Sequence, residues 1–444
     1  MQQALKQQKE FARRRKQFLR MLGVGNIAVI ASAGVCQRNA DVEFAFRQNS
    51  DFYYLSGFDE PEAVIVFVPG REQGEYILFC REYDETTALW VGASAGLEGA
   101  VQQYAADDAF PIDDIDDILP GLLENKNRLY FPMGAQPSFD QQLMDWSQEV
   151  RSRSRTGVSA PAEFISSDHL LHEMRLIKSA EEIKLMKKAA KISVAAHTKA
   201  MQCTRPGVFE YQVDAEIKYH FMSHGAQSEA YPAIVGGGDN GCVLHYTQNN
   251  APLNDGDLLL IDAGCEWDKY AADITRTFPV NGVFSEPQKA LYQLVLDAQY
   301  AAIEQVKPGN HWNDPHEAAV AVLTKGLVEL GLLQGKVATL IKEEAYKPYY
   351  MHRTGHWLGL DVHDVGDYKI DGEWRLLEPG MVLTVEPGLY IQPNASEVDA
   401  QWRGIGIRIE DDVVVTKQGC EVLTAAVVKD VDAIEKLMRD SRGG

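Results

Sequence analysis

Apolar residues recur in two rhythms along the chain. Phe11, Phe18, Leu19 and Leu22 fall at helical spacing in a basic segment, and an apolar run from Ile27 to Ala31 follows. That pattern predicts an amphipathic helix leading into a strand. Val64 to Val68 stops at Pro69-Gly70 and Tyr76 to Phe79 comes next, which predicts sequential strands joined by a turn. The acidic stretch Asp107 to Asp117 predicts a solvated helix face. From Thr156 to Ser167 the pattern dissolves into Gly, Ser, Ala and Pro, which predicts a linker. Helical spacing then takes over. Ser179 with Glu182 forms a capping box ahead of Ile183, Met186, Ala190 and Ala195. Further helices are predicted over 211–223, 287–306 and 314–331. After Pro348 strands and turns dominate, punctuated by Gly355, Gly359, Gly366, Gly380, Gly388, Gly404 and Gly406.

Composition narrows the class. The 444 residues, 45% hydrophobic and 24% charged, describe a folded globular protein. That length suggests about three domains, and it also allows two large ones. Lys and Arg number 43 against 64 acidic residues, a net charge of −21, which argues against nucleic acid and anionic membrane surfaces as partners. No apolar run reaches the ~18 residues of a membrane span. Cys36, Cys80, Cys203, Cys242, Cys265 and Cys420 are scattered without metal-knuckle or C-x-x-C spacing, which fits a reducing cytoplasm. Arg13 to Arg20 has some likeness to a twin-arginine export signal. Phe18 falls one place late for that pattern, however, and Gly23-Val24-Gly25-Asn26 interrupts the apolar stretch.

The chemistry concentrates in the second half, where carboxylates interrupt buried-looking strands. Asp262 ends the run Leu258 to Ile261, and Asp273 lies in Ala271 to Phe278. A hairpin with its tip at Trp267-Asp268 would set the two carboxylates opposite each other on one face. Two like charges so placed bracket a cation, or else one caps a turn or pairs with Arg276. In Gly404 to Val414 the alternation of Ile405, Ile407 and Ile409 leaves Gly406, Arg408 and Glu410 on the other face. An exposed edge-strand ion pair would read the same way. Glu386 stands where a strand meets Pro387-Gly388, a position that a merely solvated loop carboxylate can also take.

Histidines decide between these readings. Of eleven in the chain, His352, His356 and His363 cluster within twelve residues. The zincin helix is absent, since His172-Glu173 has Leu176 where a second histidine belongs. Asp262, Asp273, His356, Glu386 and Glu410 together make one imidazole and four carboxylates. Such a set favours Mn²⁺ or Mg²⁺ and also admits Co²⁺, Zn²⁺ or Fe²⁺. Four carboxylate charges match two divalent ions, which at ~3.5–4 Å separation would share a bridging hydroxide and clamp an oxyanion.

This series resembles the dinuclear metallopeptidases of the pita-bread fold, a family that includes methionine aminopeptidase, prolidase and aminopeptidase P. His352 to Asp364 is similar throughout to the aminopeptidase P and prolidase signature. Phe46 to Phe58, with Glu60-Pro61-Glu62-Ala63, resembles the N-terminal domain of aminopeptidase P. The resemblance implies an α/β (α+β) chain, with a creatinase/prolidase-like α/β domain over 1–168 and a pita-bread catalytic domain over 169–444. It implies Asp262, Asp273, His356, Glu386 and Glu410 as ligands to two metal ions of the Mn²⁺ type, with Asp273 and Glu410 bridging. Glu386 would take the proton of the attacking water and His363 would stabilise the intermediate. His245 would contact the substrate, His352 would line the proline side of the pocket, and Arg408 would orient the surrounding network.

The expected activity is release of the first residue from peptides with proline second, from a chain that forms a dimer or tetramer. The alternatives are a prolidase confined to Xaa-Pro dipeptides and a pita-bread module that binds without catalysis. Metal-free creatinase-like chemistry is disfavoured, because all five ligands are present. One departure stands in Trp90-Val91-Gly92-Ala93-Ser94-Ala95-Gly96, where Ser94 replaces an arginine usual in the family.

Overall fold

The computed structural model describes residues 2–442, and the chain forms two compact units, Met1–Arg175 and Leu176–Gly444. The first is built on a six-stranded mixed sheet. Its order runs Asp108–Pro111, Tyr76–Cys80, Val64–Phe67, Asn26–Ala31, Arg128–Phe131, Glu163–Ser166. Asn26–Ala31 pairs antiparallel with Val64–Phe67 and parallel with Arg128–Phe131. Ile27, Val29, Val64, Val66, Ile77 and Phe79 fill the core, with Leu119, Leu143 and Trp146 packed among them.

The N-terminal segment is one helix, Gln2–Leu22, and Phe11, Phe18 and Leu22 are its buried stripe. Arg14 and Arg15 are buried with that stripe. Their guanidinium groups lie 4.1 and 4.5 Å from the rings of Tyr54 and Tyr76, and they donate to the carbonyls of Tyr54 and Leu55. Two arginines of the basic run therefore work as packing residues of this unit.

Two local expectations are corrected. Within Asp107 to Asp117 the chain first adds the edge strand Asp108–Pro111, and the helix begins only at Ile115. Parallel pairing with Tyr76–Cys80 captures these residues despite their charge. The expected linker contains Glu163–Ser166, the opposite edge strand, which pairs with Arg128–Phe131. The two compact units divide between Arg175 and Leu176, at the C-terminal end of the helix Asp168–Leu176. Arg175 donates to Asp51 at 2.8 Å and the Tyr54 hydroxyl donates to the Met174 carbonyl, which ties that helix to the first unit. Ser94 follows a short helix, Glu85–Val91, that buries no residue and leaves Leu89 and Trp90 more than four-fifths exposed.

In the second unit long helices enclose several short antiparallel ladders. Ala180–Cys203 starts at the Ser179–Glu182 capping box, with both reciprocal hydrogen bonds formed. Glu210–Ser223, Glu286–Ile303 and Asp314–Glu329 follow. Leu258–Asp262 is the centre of one ladder, between Ile234–Gly237 and Thr275–Pro279. Val382–Val385 pairs with Asp411–Thr416, and Gly388–Ile391 pairs with Ile405–Arg408. Asp262 and Arg408 are the last residues of their strands, and Asp273, Glu386 and Glu410 stand within two residues of a strand end.

Candidate active site

The two aspartates come from one hairpin whose register differs from the symmetric expectation. Cys265–Trp267 pairs with Tyr270–Ala271, so the turn residues are Asp268 and Lys269, with φ of 53° and 69°. Two positive φ values make a tight two-residue turn, and they move its centre one place along the chain. Asp262 consequently faces Thr275 rather than Asp273. The slip amounts to two residues, and side chains alternate with a period of two, so both carboxylates keep the same face. The Tyr231 hydroxyl sits between them, 2.6 Å from Asp262 Oδ1 and hydrogen-bonded also to Asp273.

His356 and Glu386 are brought together by main-chain pairing. Glu386 N–H donates to the Thr354 carbonyl, Thr384 N–H to that of His356, and Leu358 N–H to that of Val382. The Thr384 hydroxyl accepts from His356 N–H at 3.1 Å and lies 3.4 Å from Glu386 Oε1. Gly355 makes this approach possible, since a Cβ there would stand 2.1 Å from the Thr384 carbonyl oxygen.

Glu410 follows the strand Ile405–Arg408. Its carboxylate accepts from the Thr275 hydroxyl at 2.6 Å, and its N–H donates to the Thr275 carbonyl. Its own carbonyl accepts from Arg276, which is fully buried and pairs with Asp411 at 2.7 Å. Gly406 leaves room for backbone: a Cβ there would meet the Gly241 carbonyl at 2.1 Å. Arg408 donates to Asp262 at 2.6 Å, to Thr275 at 3.0 Å and to the Tyr390 hydroxyl at 3.0 Å, and that hydroxyl also lies 2.8 Å from His352 Nε2. Arg408 thus links one carboxylate of the site to one of its histidines.

All nine residues singled out in the sequence line a single cavity of ≈ 440 Å³: His245, Asp262, Asp273, His352, His356, His363, Glu386, Arg408 and Glu410. Donor atoms of Asp273, His356 and Glu410 lie within 4.8 Å of one another. His363 packs its ring against His356, with centroids 4.3 Å apart. Several residues of the site carry no local signal in the sequence. Tyr231 lies in an aperiodic stretch, and Thr275 and Arg276 stand in an ordinary strand. Tyr390 was findable, because Glu386, Gly388 and Tyr390 keep the two-residue period of one face.

The electrostatics ask for cations. Burial pushes Asp262 up to about 6, against the pull of Arg408, and pushes Glu386 up to about 7. Burial and the neighbouring carboxylates Asp273, Glu386 and Asp262 drive Glu410 well above the ordinary range. Burial would lower His356, but its contact with Asp273 and the charge of Glu386 lift it to about 9. Without further positive charge the site holds its acids partly protonated. Divalent ions would take the place of those protons, and one imidazole with four carboxylates is a donor set that suits them. Burial and the charge of Arg408 lower His352 to about 3, so it is a neutral imidazole at pH 7.

Comparison with known proteins agrees with this chemistry. The profile of metallopeptidase family M24 matches residues 184–417, and that of the aminopeptidase P N-terminal domain matches residues 11–130. Xaa-Pro aminopeptidase of Escherichia coli K12 is 46% identical over 434 residues, 98% of each chain. The structure of Pseudomonas aeruginosa aminopeptidase PepP superposes with a TM-score of 0.98 at 57% identity, covering 98% of this chain and 99% of that one. A zinc-substituted E. coli aminopeptidase P in complex with product superposes with a TM-score of 0.95 at 45% identity, covering 98% and 99%.

Proposed function

The chain belongs to metallopeptidase family M24, and on that premise we propose that it is an Xaa-Pro aminopeptidase, releasing the first residue from peptides whose second residue is proline. The observation that carries this reading is the convergence of Asp262, Asp273, His356, Glu386 and Glu410 on one cavity with His245, His352 and His363. The five would hold two divalent ions, manganese by the hardness of the oxygen donors. When bound, such ions supply a nucleophilic water at neutral pH and a Lewis acid for the scissile carbonyl.

The chain's own residues do the rest. Glu386 accepts the proton of the attacking water and returns it to the prolyl nitrogen as the C–N bond breaks. His363 hydrogen-bonds the carbonyl oxygen as negative charge develops there, and His245 holds the substrate backbone. His352, backed by Tyr390, lines the proline side. Arg408 and Tyr231 keep Asp262 in place. An Xaa-Pro bond has no amide N–H and a fixed ring, so a site that works on carbonyl oxygen and amino terminus suits it.

We place the protein in the cytoplasm as a dimer or tetramer. The six free cysteines support the first statement, and the exposed Leu89, Trp90 and Val91 support the second. Among the described residues no helix is long and apolar enough to cross a membrane. The test is hydrolysis of an Xaa-Pro-Yaa tripeptide and an Xaa-Pro dipeptide by chelator-stripped protein before and after Mn²⁺ is added. Metal-dependent release of Xaa from the tripeptide is expected. Cleavage of the dipeptide alone would make the protein a prolidase, and cleavage of neither by metal-loaded protein overturns the substrate assignment.

A further inference from the structure

Arg353 separates His352 from the rest of the histidine cluster and lines the same cavity as Glu386 and His356. Its side chain is exposed, yet it is held in place. One guanidinium nitrogen donates to Asn313 Oδ1, and Asn313 is itself fixed by donating to Glu317 at 2.6 Å. The guanidinium also lies 5.1 Å from the ring centroid of Trp374, and Lys369 Nζ lies 4.4 Å from the same ring. Neither cation has a carboxylate partner among the described residues. In a protein of net charge −21, beside a cavity with four carboxylates, an oriented and unpaired arginine is out of character.

We propose that Arg353, with Lys369 behind it, is a specificity-determining residue that binds a carboxylate on the residue following proline. In a short peptide that group is the C-terminal carboxylate. The planar fork of arginine suits a carboxylate in two-point contact, and one edge of the fork is already oriented by Asn313. Three extended residues span at most ~10–11 Å, and Arg353 lines the same cavity as Glu386 and His356, where the end of a tripeptide held at those residues would lie. Tripeptides with a free C-terminus would then be preferred over longer or amidated peptides. The inference rests on the aminopeptidase reading and names the substrate class of that same site.

The experiment compares Xaa-Pro-Gly, Xaa-Pro-Gly-amide and Xaa-Pro-Glu-amide with the manganese-loaded wild type, Arg353→Met and Arg353→Lys. Arg353→Met is expected to lower kcat/KM for the free acid about tenfold, mainly through KM. The same variant should leave the Gly amide within about twofold. Arg353→Lys should recover part of the loss, and added salt should raise KM for the free acid in the wild type and the Lys variant but not in Arg353→Met. A loss that extends to Xaa-Pro-Glu-amide would show that a side-chain carboxylate is taken by the same residue. Equal effects on all three substrates, or none, overturn the proposal. Failure of the wild type to cleave any of the three substrates would instead overturn the aminopeptidase reading, and this inference with it.

Discussion

Arg276 offers a direct test of how the site is held. It is fully buried and makes four hydrogen bonds: to the carbonyls of Thr275, Glu410 and Val427, at 2.9, 2.5 and 3.2 Å, and to Asp411 Oδ1 at 2.7 Å. Arg276→Met keeps much of the volume and removes every one of these bonds. Breaking a buried ion pair costs ~3–5 kcal/mol because a charge is left alone. Asp411 would not be left alone here, since Lys429 and Thr424 also donate to it, each at 2.7 Å. The expected loss therefore sits at the lower end, about 3 kcal/mol, or roughly 6–12 °C in Tm for a unit of this size. The Glu410 carbonyl loses its anchor, so affinity for divalent ions should fall as well. Urea titration of the chelated protein measures the first effect, and calorimetric titration with Mn²⁺ measures the second. A chelated variant within ~1 kcal/mol of wild type would refute the argument that this arginine supports the strand end bearing Glu410.

Other expectations follow from the same geometry. Asp51 is held down to about 2: burial opposes its ionisation, but the charge of Arg175 and contact with His172 outweigh it. A depressed carboxylate contributes stability that is present above its ordinary pKa near 4 and lost as pH falls through about 2. Asp51→Asn should therefore cost roughly 2 kcal/mol at pH 7 and almost nothing at pH 2, and a penalty unchanged between those values would exclude the pairing. Gly355→Ala pushes a methyl group to 2.1 Å from the Thr384 carbonyl. It should cost ~1–3 kcal/mol and abolish turnover in protein that still gives a folded circular-dichroism spectrum, so a fully active variant would contradict the close approach. Chelator-stripped protein should gain about 2.7 kcal/mol for each ion bound when Mn²⁺ reaches 100-fold over that ion's dissociation constant. A Tm independent of metal would speak against the five-residue donor set.

Much of the site was legible because its residues obey strand alternation. Arg408 and Glu410 share a face by parity alone, and the even-numbered slip in the Asp262–Asp273 hairpin left their common face intact. The turn's true position was hidden, since nothing in Trp267-Asp268-Lys269 announces which pair adopts positive φ. Tyr231, Thr275 and Arg276 were illegible for another reason: they act through long-range contacts that no local period encodes. In the first unit, the edge strands Asp108–Pro111 and Glu163–Ser166 were missed because pairing with a neighbour, not their own composition, makes them strands. The capping box at Ser179 was readable because its physics is confined to four residues.

The hairpin between Asp262 and Asp273 also says how this chain can vary in length. A single residue gained or lost within one arm, between the turn and a carboxylate, would rotate that carboxylate to the opposite side of the ladder. A pair gained or lost would restore its side while moving it about 6–7 Å along the strand. An odd insertion therefore removes a ligand outright, whereas an even one misplaces it. Additions at the tip, at Asp268-Lys269, leave both arms unchanged. In homologous chains, insertions and deletions should accordingly gather at that tip and be absent from the two arms.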